Sequence, residues 1–248
     1  GGYIGWCTGS LIGDKVILTA AHCLYNYTTR EWLTNVRVVP AKDGMIEPYG
    51  FQWGTRVMVP TSWVIWGDYA SDIGVVLLPD DSFNKRLGHF TLVVGSDSYL
   101  SGYLWPSVTG YPQDKPYGTM WTGSMPRFLW VSDTTLYYDI DSTGGQSGSP
   151  VWTLDYAFPP AVVGVHSRGS SLYNLGVRMR QGLVDIIVPW CRSFGCWIDL
   201  HGLPTPWQPT PTPIPVPTAT PIPTVTATPT PTLRRQLYLP GLWNRVGG

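Results

Sequence analysis

Asp141-Ser142-Thr143-Gly144-Gly145-Gln146-Ser147-Gly148-Ser149-Pro150 is the stretch that decides how this chain is read. Glycines stand on both sides of Ser147, so backbone can crowd its hydroxyl without a side-chain clash. The N–H groups of Gly145 and Ser147 can then point at one spot beside the hydroxyl, as an oxyanion formed in acyl transfer requires. Alone, the segment reads equally well as a Gly/Ser surface turn. A second segment, Leu18-Thr19-Ala20-Ala21-His22-Cys23, separates the two readings. A serine hydroxyl is a poor nucleophile at neutral pH and needs a base within reach, usually histidine. His22 stands where an apolar run from Val16 gives way to a turn, among small residues that let an imidazole reach a cleft.

A third member, a buried carboxylate between these two, would fix the imidazole tautomer. The candidates are Asp43, Asp68, Asp72, Asp80, Asp81, Asp97, Asp114, Asp133, Asp139 and Asp141. Asp72 is preferred because it opens Asp72-Ile73-Gly74-Val75-Val76-Leu77-Leu78, a nearly all-apolar strand that would hold a carboxylate rigidly and partly desolvated. Asp68 is the nearest rival, but Tyr69-Ala70-Ser71 after it reads as loop.

The order His22, Asp72, Ser147 matches the trypsin-like serine peptidases of chymotrypsin fold rather than the subtilisin or α/β-hydrolase orders. Four stretches resemble, more closely, the bacterial glutamyl endopeptidases. They are Thr19 to Cys23; Val108-Thr109-Gly110-Tyr111-Pro112 with Asp114-Lys115-Pro116 and Gly118-Thr119-Met120-Trp121; Ser142 to Val151; and Gly164-Val165-His166-Ser167. The second of these has no generic chemical reason, so it identifies the branch better than the triad does. The resemblance implies His22, Asp72 and Ser147 as catalytic residues and the N–H groups of Gly145 and Ser147 as oxyanion hole. It also implies a specificity pocket in which His166 meets the carboxylate of a substrate Glu and Ser142 lines the wall, with Ser167 beside them. An imidazole and a hydroxyl both offer donors to an anion. Arg168 is either a further positive charge at the pocket rim or a solvated surface residue.

Two departures from the family pattern stand out. The first six residues before Cys7 are short for a complete first strand, so the chain reads as trimmed at its start and an N-terminal amine contact to substrate is not assigned. Gln146 replaces the Asp that precedes the nucleophile in animal digestive members, which removes activation through that ion pair; the bacterial branch tolerates Gln there.

Composition fits a secreted globular enzyme. Sixteen basic and 16 acidic residues in 248 balance to zero, which points away from nucleic acid and anionic membranes. Thirteen Trp and 14 Tyr suit strand packing. No apolar run reaches the ~18 residues of a membrane span, no signal peptide is visible, and protein or peptide substrates with a monomeric enzyme are expected. Four cysteines permit three pairings. The family commonly ties the loop ending at His22, which implies Cys7–Cys23 and leaves Cys191–Cys196 as a short C-terminal loop. Disulfides place the chain in an oxidising compartment. Neither a zinc pattern nor a convincing calcium loop is present, so no metal and no cofactor is assigned. His89 and His201 read as packing or surface residues.

Short β-rich runs separated by Gly and Pro predict an all-β fold of two antiparallel six-stranded barrels, chymotrypsin-like. Residues 1–85 would form the barrel carrying His22 and Asp72, and residues 86–202 the barrel carrying Ser147 and the pocket. Leu183, Ile186, Ile187 and Trp190 fall at helical spacing and predict a closing C-terminal helix. Residues 203–232 are a Thr/Pro-rich linker that cannot bury a core, an extended spacer of up to about 90 Å at ~3.1 Å per residue. Residues 233–248, with Leu237-Tyr238-Leu239-Pro240, are expected to be a disordered tail or a sorting and cell-surface attachment segment. The expected activity is hydrolysis of peptide bonds after Glu, less often Asp. The rival expectations are a trypsin-like peptidase of other specificity and a surface-tethered binding protein on an inactive peptidase scaffold.

Overall fold

A computed structural model describes residues 3–102, 104–154, 160–170, 172–201 and 234–239. In chain order, β1 (Tyr3–Thr8), β2 (Ser10–Leu11), β3 (Val16–Thr19), β4 (Tyr25–Asn26), β5 (Glu31–Trp32), β6 (Thr34–Pro40), β7 (Gln52–Trp53), β8 (Arg56–Met58) and β9 (Gly74–Leu77) build the first half, with helix α1 (Thr61–Trp66). The second half holds α2 (Ser82–Leu87), β10 (Thr91–Val93), α3 (Asp97–Leu100), β11 (Ser107–Gly110), β12 (Trp121–Ser124), β13 (Trp130–Val131) and β14 (Thr135–Tyr138). It continues through β15 (Pro150–Thr153), β16 (Ala161–Gly169), β17 (Asn174–Arg178), α4 (Gln181–Ser193) and β18 (Leu200–His201). After the Thr/Pro-rich stretch comes β19 (Arg234–Leu239).

The expectation of two closed six-stranded barrels is corrected by the ladders. The first half divides into two four-stranded sheets, β1-β19-β6-β7 and β2-β3-β9-β8, and the two-stranded pair β4-β5. The reason is visible at two glycines where the chain passes from one sheet to the other. Gly9 separates β1 from β2, and a Cβ there would meet Ile17 Cγ2 at 2.8 Å. Gly54 precedes β8 after β7, and its Cβ would meet Val76 Cγ1 at 2.5 Å. Backbone turns this tightly against a neighbouring strand only where no side chain intervenes. The second half is one open nine-stranded sheet, β12-β11-β15-β16-β17-β14-β13, with β10 beside β16 and β18 beside β10. It is the larger and more regular body.

The disordered tail is corrected at 234–239. β19 runs parallel to β1 and to β6 and lies between them, pairing Cys7 with Leu237 on one side and Val38 with Leu237 on the other. Gln236, Leu237, Tyr238 and Leu239 are all buried. Burying a Leu fully contributes about 1.5–3 kcal/mol, so this short strand is held by both ladders and side chains. Residues 203–232 and 240–248 fall outside the described residues, and the attachment expectation goes with them.

A continuous apolar cluster runs from Ile12, Leu18, Val75 and Leu78 of the first half to Val162, Val165, Leu183 and Ile187 of the second. The face α4 buries is Leu183, Val184, Ile187 and Cys191, while Ile186 is exposed. That is a small rotation from the stripe expected. It turns Cys191 inward, where it is joined to Cys196.

Candidate active site

His22 lies in the single 3₁₀ turn that ends β3, and Asp72 directly follows a second such turn, Tyr69–Ser71, just before β9. Because β3 and β9 pair antiparallel with Thr19 opposite Gly74, the two turns emerge side by side. Asp72 is fully buried and approaches His22 twice: the His22 N–H donates to Oδ1 at 2.9 Å, and Nδ1 lies 2.8 Å from Oδ2. Ser167 Oγ donates to the same Oδ2 at 2.6 Å. Burial opposes ionisation of this carboxyl, but the His22 charge, the His22 side-chain and backbone bonds and the Ser167 hydroxyl outweigh it and hold its pKa below the ordinary range. Buried carboxylates keep their charge only when so partnered. Asp68, the rival, instead accepts from Ala70 N–H and Ser71 Oγ and caps the turn. Its oxygens are spent locally.

Ser147 reaches the same place from the second half. Its carbonyl accepts from Thr8 N–H at 2.8 Å and lies 3.7 Å from Cys23 Sγ, the neighbour of His22. The Cys7–Cys23 disulfide ties β1 to that turn. No hydrogen bond joins Ser147 Oγ to His22 among the described residues; in substrate-free sites such bonds commonly tighten only when substrate arrives. Gly145 and Gly148 adopt φ of +91° and +85°. A Cβ on Gly145 would run into Tyr111 O and Trp6 Nε1, and one on Gly148 into Thr19 Oγ1 and Thr8 O. Both conformation and space therefore demand glycine. The N–H groups of Gly145 and Ser147 donate to nothing among the described residues, while Gln146 N–H bonds Thr143 O and Gly148 N–H bonds His166 O.

The Val108–Trp121 stretch forms the wall behind this loop. Gln113 N–H donates to Gly144 O at 2.8 Å, and Thr143 Oγ1 donates to Asp114 Oδ1 at 3.0 Å. Tyr111 receives the Trp6 indole N–H on its carbonyl (2.8 Å) and gives its own N–H to Thr8 Oγ1 (3.1 Å), which in turn donates to Gly145 O (2.9 Å). These contacts supply the reason that the residues alone lacked.

His166 sits on β16 at a bulge, 3% exposed, and its backbone is laced to the Ser147 loop through Ser149 O and Gly148 N–H. Burial lowers its pKa to about 4, with the His22 charge adding to the effect and Asp72 opposing it, so the ring is neutral at pH 7. Tyr138 OH lies 2.8 Å from Nδ1. Burial also pushes the Tyr138 phenol well above its ordinary value, so it stays protonated. In the tautomer in which this phenol donates, Nδ1 is the acceptor and the ring proton resides on Nε2. Ser142 lies instead along a cavity of about 220 Å³ lined by Pro112, Asp114, Trp121, Asp141 and Gln146, and His166 is not part of that lining. The structure does not join Ser142 and His166 in one cavity. Arg168 stacks its guanidinium over the Tyr69 ring at 4.0 Å, spanning from β16 to the turn that precedes Asp72.

Tyr138, Thr8, Trp6 and the hydroxyl of Ser167 are the participants that the residues alone did not reveal. Only the Val-Thr-Gly-Tyr-Pro stretch signalled Tyr111. One group with metal-capable donors close together occurs among the described residues, Cys7, His22 and Cys23. Both sulfurs are consumed in the disulfide, which leaves a lone imidazole. The two disulfides belong to an oxidising, extracellular setting. No helix among the described residues is long and apolar enough to cross a membrane.

The family model described as Trypsin matches residues 2–177. Glutamyl endopeptidase of Bacillus licheniformis is 33% identical over 198 residues, covering 77% of this chain and 61% of its own length. A Bacillus subtilis protein named Extracellular metalloprotease is 32% identical over 188 residues, 75% of this chain and 58% of its own. The chain thus spans about 60% of the length of these curated relatives. A solved structure of Glu endopeptidase in complex with MPD superposes with TM-score 0.67 at 27% identity, over 77% of this chain and 88% of that one. With that match across most of its length, the chain belongs to the trypsin family of serine peptidases and is related to the bacterial glutamyl endopeptidases.

Proposed function

We propose that the protein is a secreted endopeptidase that cleaves peptide bonds after Glu, and less readily after Asp, through an acyl-enzyme on Ser147. The observation that carries this reading is His22, held by Asp72 through both its backbone N–H and its imidazole Nδ1, beside a glycine-framed serine loop with two N–H groups that donate to nothing among the described residues. Ser147 Oγ attacks the scissile carbonyl while His22 Nε2 takes its proton, and the imidazolium then protonates the leaving amine. Water, activated by the same imidazole, hydrolyses the ester and regenerates Ser147. Asp72 keeps the imidazole proton on Nδ1, Ser167 keeps Asp72 in place, and the N–H groups of Gly145 and Ser147 receive the oxyanion. A division at 85/86, with base and carboxylate before it and nucleophile after it, belongs to the same reading.

For specificity, this reading takes the neutral His166 in its Nε2–H tautomer, which offers a hydrogen-bond donor to a substrate carboxylate. A donor-bearing site prefers Glu to its uncharged isostere because the bond to an anion is the stronger. Ser142 and Arg168 are secondary in this reading, since one lines a separate cavity and the other is engaged with Tyr69.

The test is kcat/KM on matched peptides with Glu, Asp, Gln, Lys or Phe before the leaving group. A Glu rate at least ~100-fold above Gln, about 2.7 kcal/mol, is expected. Equal or better rates on Lys or Phe would discard the acidic preference and leave a trypsin-like peptidase of other specificity. Failure of Ser147 to react with a phosphonylating probe would leave a binding protein on a peptidase scaffold.

A further inference from the structure

We infer that the slot between β1 and β6 is a strand-binding site whose ligand is the chain's own segment Arg234–Leu239, and that filling it positions the Ser147 loop. The slot is specific on both faces. Leu237 and Leu239 enter the main apolar cluster, whereas Tyr238 joins Val39, Tyr111, Trp6 and Met120 in a separate one. Tyr238 stands at 4.9 Å and 64° to the Tyr111 ring, and its hydroxyl donates to Gln236 Oε1 at 2.8 Å. Three donors hold the end of the strand: Gly9 N–H on Tyr238 O, and Ala41 N–H and Tyr111 OH on Leu239 O, all within 3.0 Å. An alternating Leu-Tyr-Leu peptide in parallel pairing is the chemistry this groove selects.

The consequence for catalysis follows from what β1 touches. Its one ladder among the described strands is with β19. Its other face supports the nucleophile loop through Thr8 N–H on Ser147 O, Thr8 Oγ1 on Gly145 O and the Trp6–Tyr111 bond. β19 is thus a positioning element. It touches no reacting atom, and it acts through β1 on the two residues whose N–H groups are proposed to receive the oxyanion. Tyr111 serves both sides at once, bonding Leu239 O with its hydroxyl and Thr8 with its backbone. The tether, residues 202–233, contains neither Glu nor Asp, so an enzyme of the proposed specificity leaves it whole.

This inference rests on the proposed activity only for its catalytic half, and the experiment separates the two. In the intact chain, hydrogen exchange should protect the amides of 235–239 about as strongly as those of β6; exchange at the rate of a free peptide would overturn the docking. A foreign protease site introduced within residues 210–225 of the full chain then allows nicking. The released C-terminal fragment is expected to co-elute with the body, as a monomer. Immediate separation, or a dimer that trades strands between copies, would overturn the assignment to the chain's own segment. After the fragment is washed away in mild denaturant and the body refolded, kcat on a Glu peptide should fall at least tenfold with KM little changed. A synthetic peptide spanning Leu233 to Gly241 should restore it saturably, and the same peptide with Tyr238→Ala should not. An unchanged kcat after fragment loss would overturn the positioning role. Exchange and co-elution read occupancy even if no Glu peptide is ever cut.

Discussion

The two halves of the molecule solve the same packing problem differently. The second half completes its nine-stranded sheet with strands from a single run of chain, β10 to β18. The first half has the β4-β5 pair and two four-stranded sheets, one of which closes only with a strand from beyond the Thr/Pro stretch. Yet His22 and Asp72, the proposed base and its carboxylate, stand on the first half, and the Ser147 loop of the second leans on β1. A site shared between a self-sufficient body and a dependent one inherits the weakness of the dependent one.

Perturbations of each half sharpen this contrast. Ser147→Ala has the largest expected effect, a loss of ~10⁴- to 10⁶-fold in kcat with unfolding free energy nearly unchanged, measured by steady-state kinetics and urea titration. It removes chemistry from the robust half and nothing else. Leu237→Ala and Leu136→Ala each empty a fully buried site and should each cost about 2–5 kcal/mol of stability. Their kinetics should diverge: below the melting range Leu237→Ala lowers kcat, whereas Leu136→Ala, in the second-half cluster, leaves it close to the parent. Parallel behaviour in both assays would dissolve the distinction between the halves.

Proton linkage gives a third contrast. His166 is neutral in the fold with a pKa lowered to about 4, against 6.5 for a free imidazole. Between these values the unfolded chain binds the extra proton, so stability rises with pH. The contribution is complete above pH ~6.5 and lost progressively toward pH 4, on the order of 3 kcal/mol in all. Denaturant titrations at pH 7 and pH 4.5 should show that loss, and His166→Gln should flatten it. The smallest effect belongs to Arg168→Ala. Removing a partly exposed stack on Tyr69 should cost about 0.5–1 kcal/mol, with little change in Glu-over-Gln preference. A collapse of that preference would return Arg168 to the pocket rim.

Much of the candidate site was legible because its signals are local. The Gly-Gly-Gln-Ser-Gly run, the His at a strand end and the Asp opening an apolar strand each carry their signal within a few residues. β3, β9, β11 and β15 were legible for the same reason, as β-branched runs between breakers. What escaped depends on distance. Ser167 reaches Asp72 across 95 positions, and nothing in Gly-Val-His-Ser says that its hydroxyl points there. Tyr138 reads as an ordinary strand aromatic until His166 is found beside it. β19 is the extreme case: a six-residue segment after prolines has no pattern of its own, and its slot is built by residues near the other end of the chain. The corner glycines, Gly9 and Gly54, likewise declare themselves only against Ile17 and Val76.

The place of β19 also bears on when the protein becomes itself. Its partners β1 and β6 are made before every strand of the second half, and β19 is made after all of them. A parallel pairing across so long a sequence interval carries a large loop-closure entropy and folds slowly. Until β19 has been made, the first sheet therefore lacks the strand that joins β1 to β6. The second half can fold meanwhile. If β19 positions the Ser147 loop as proposed, closure of the first sheet is the last step of folding, and activity waits on it.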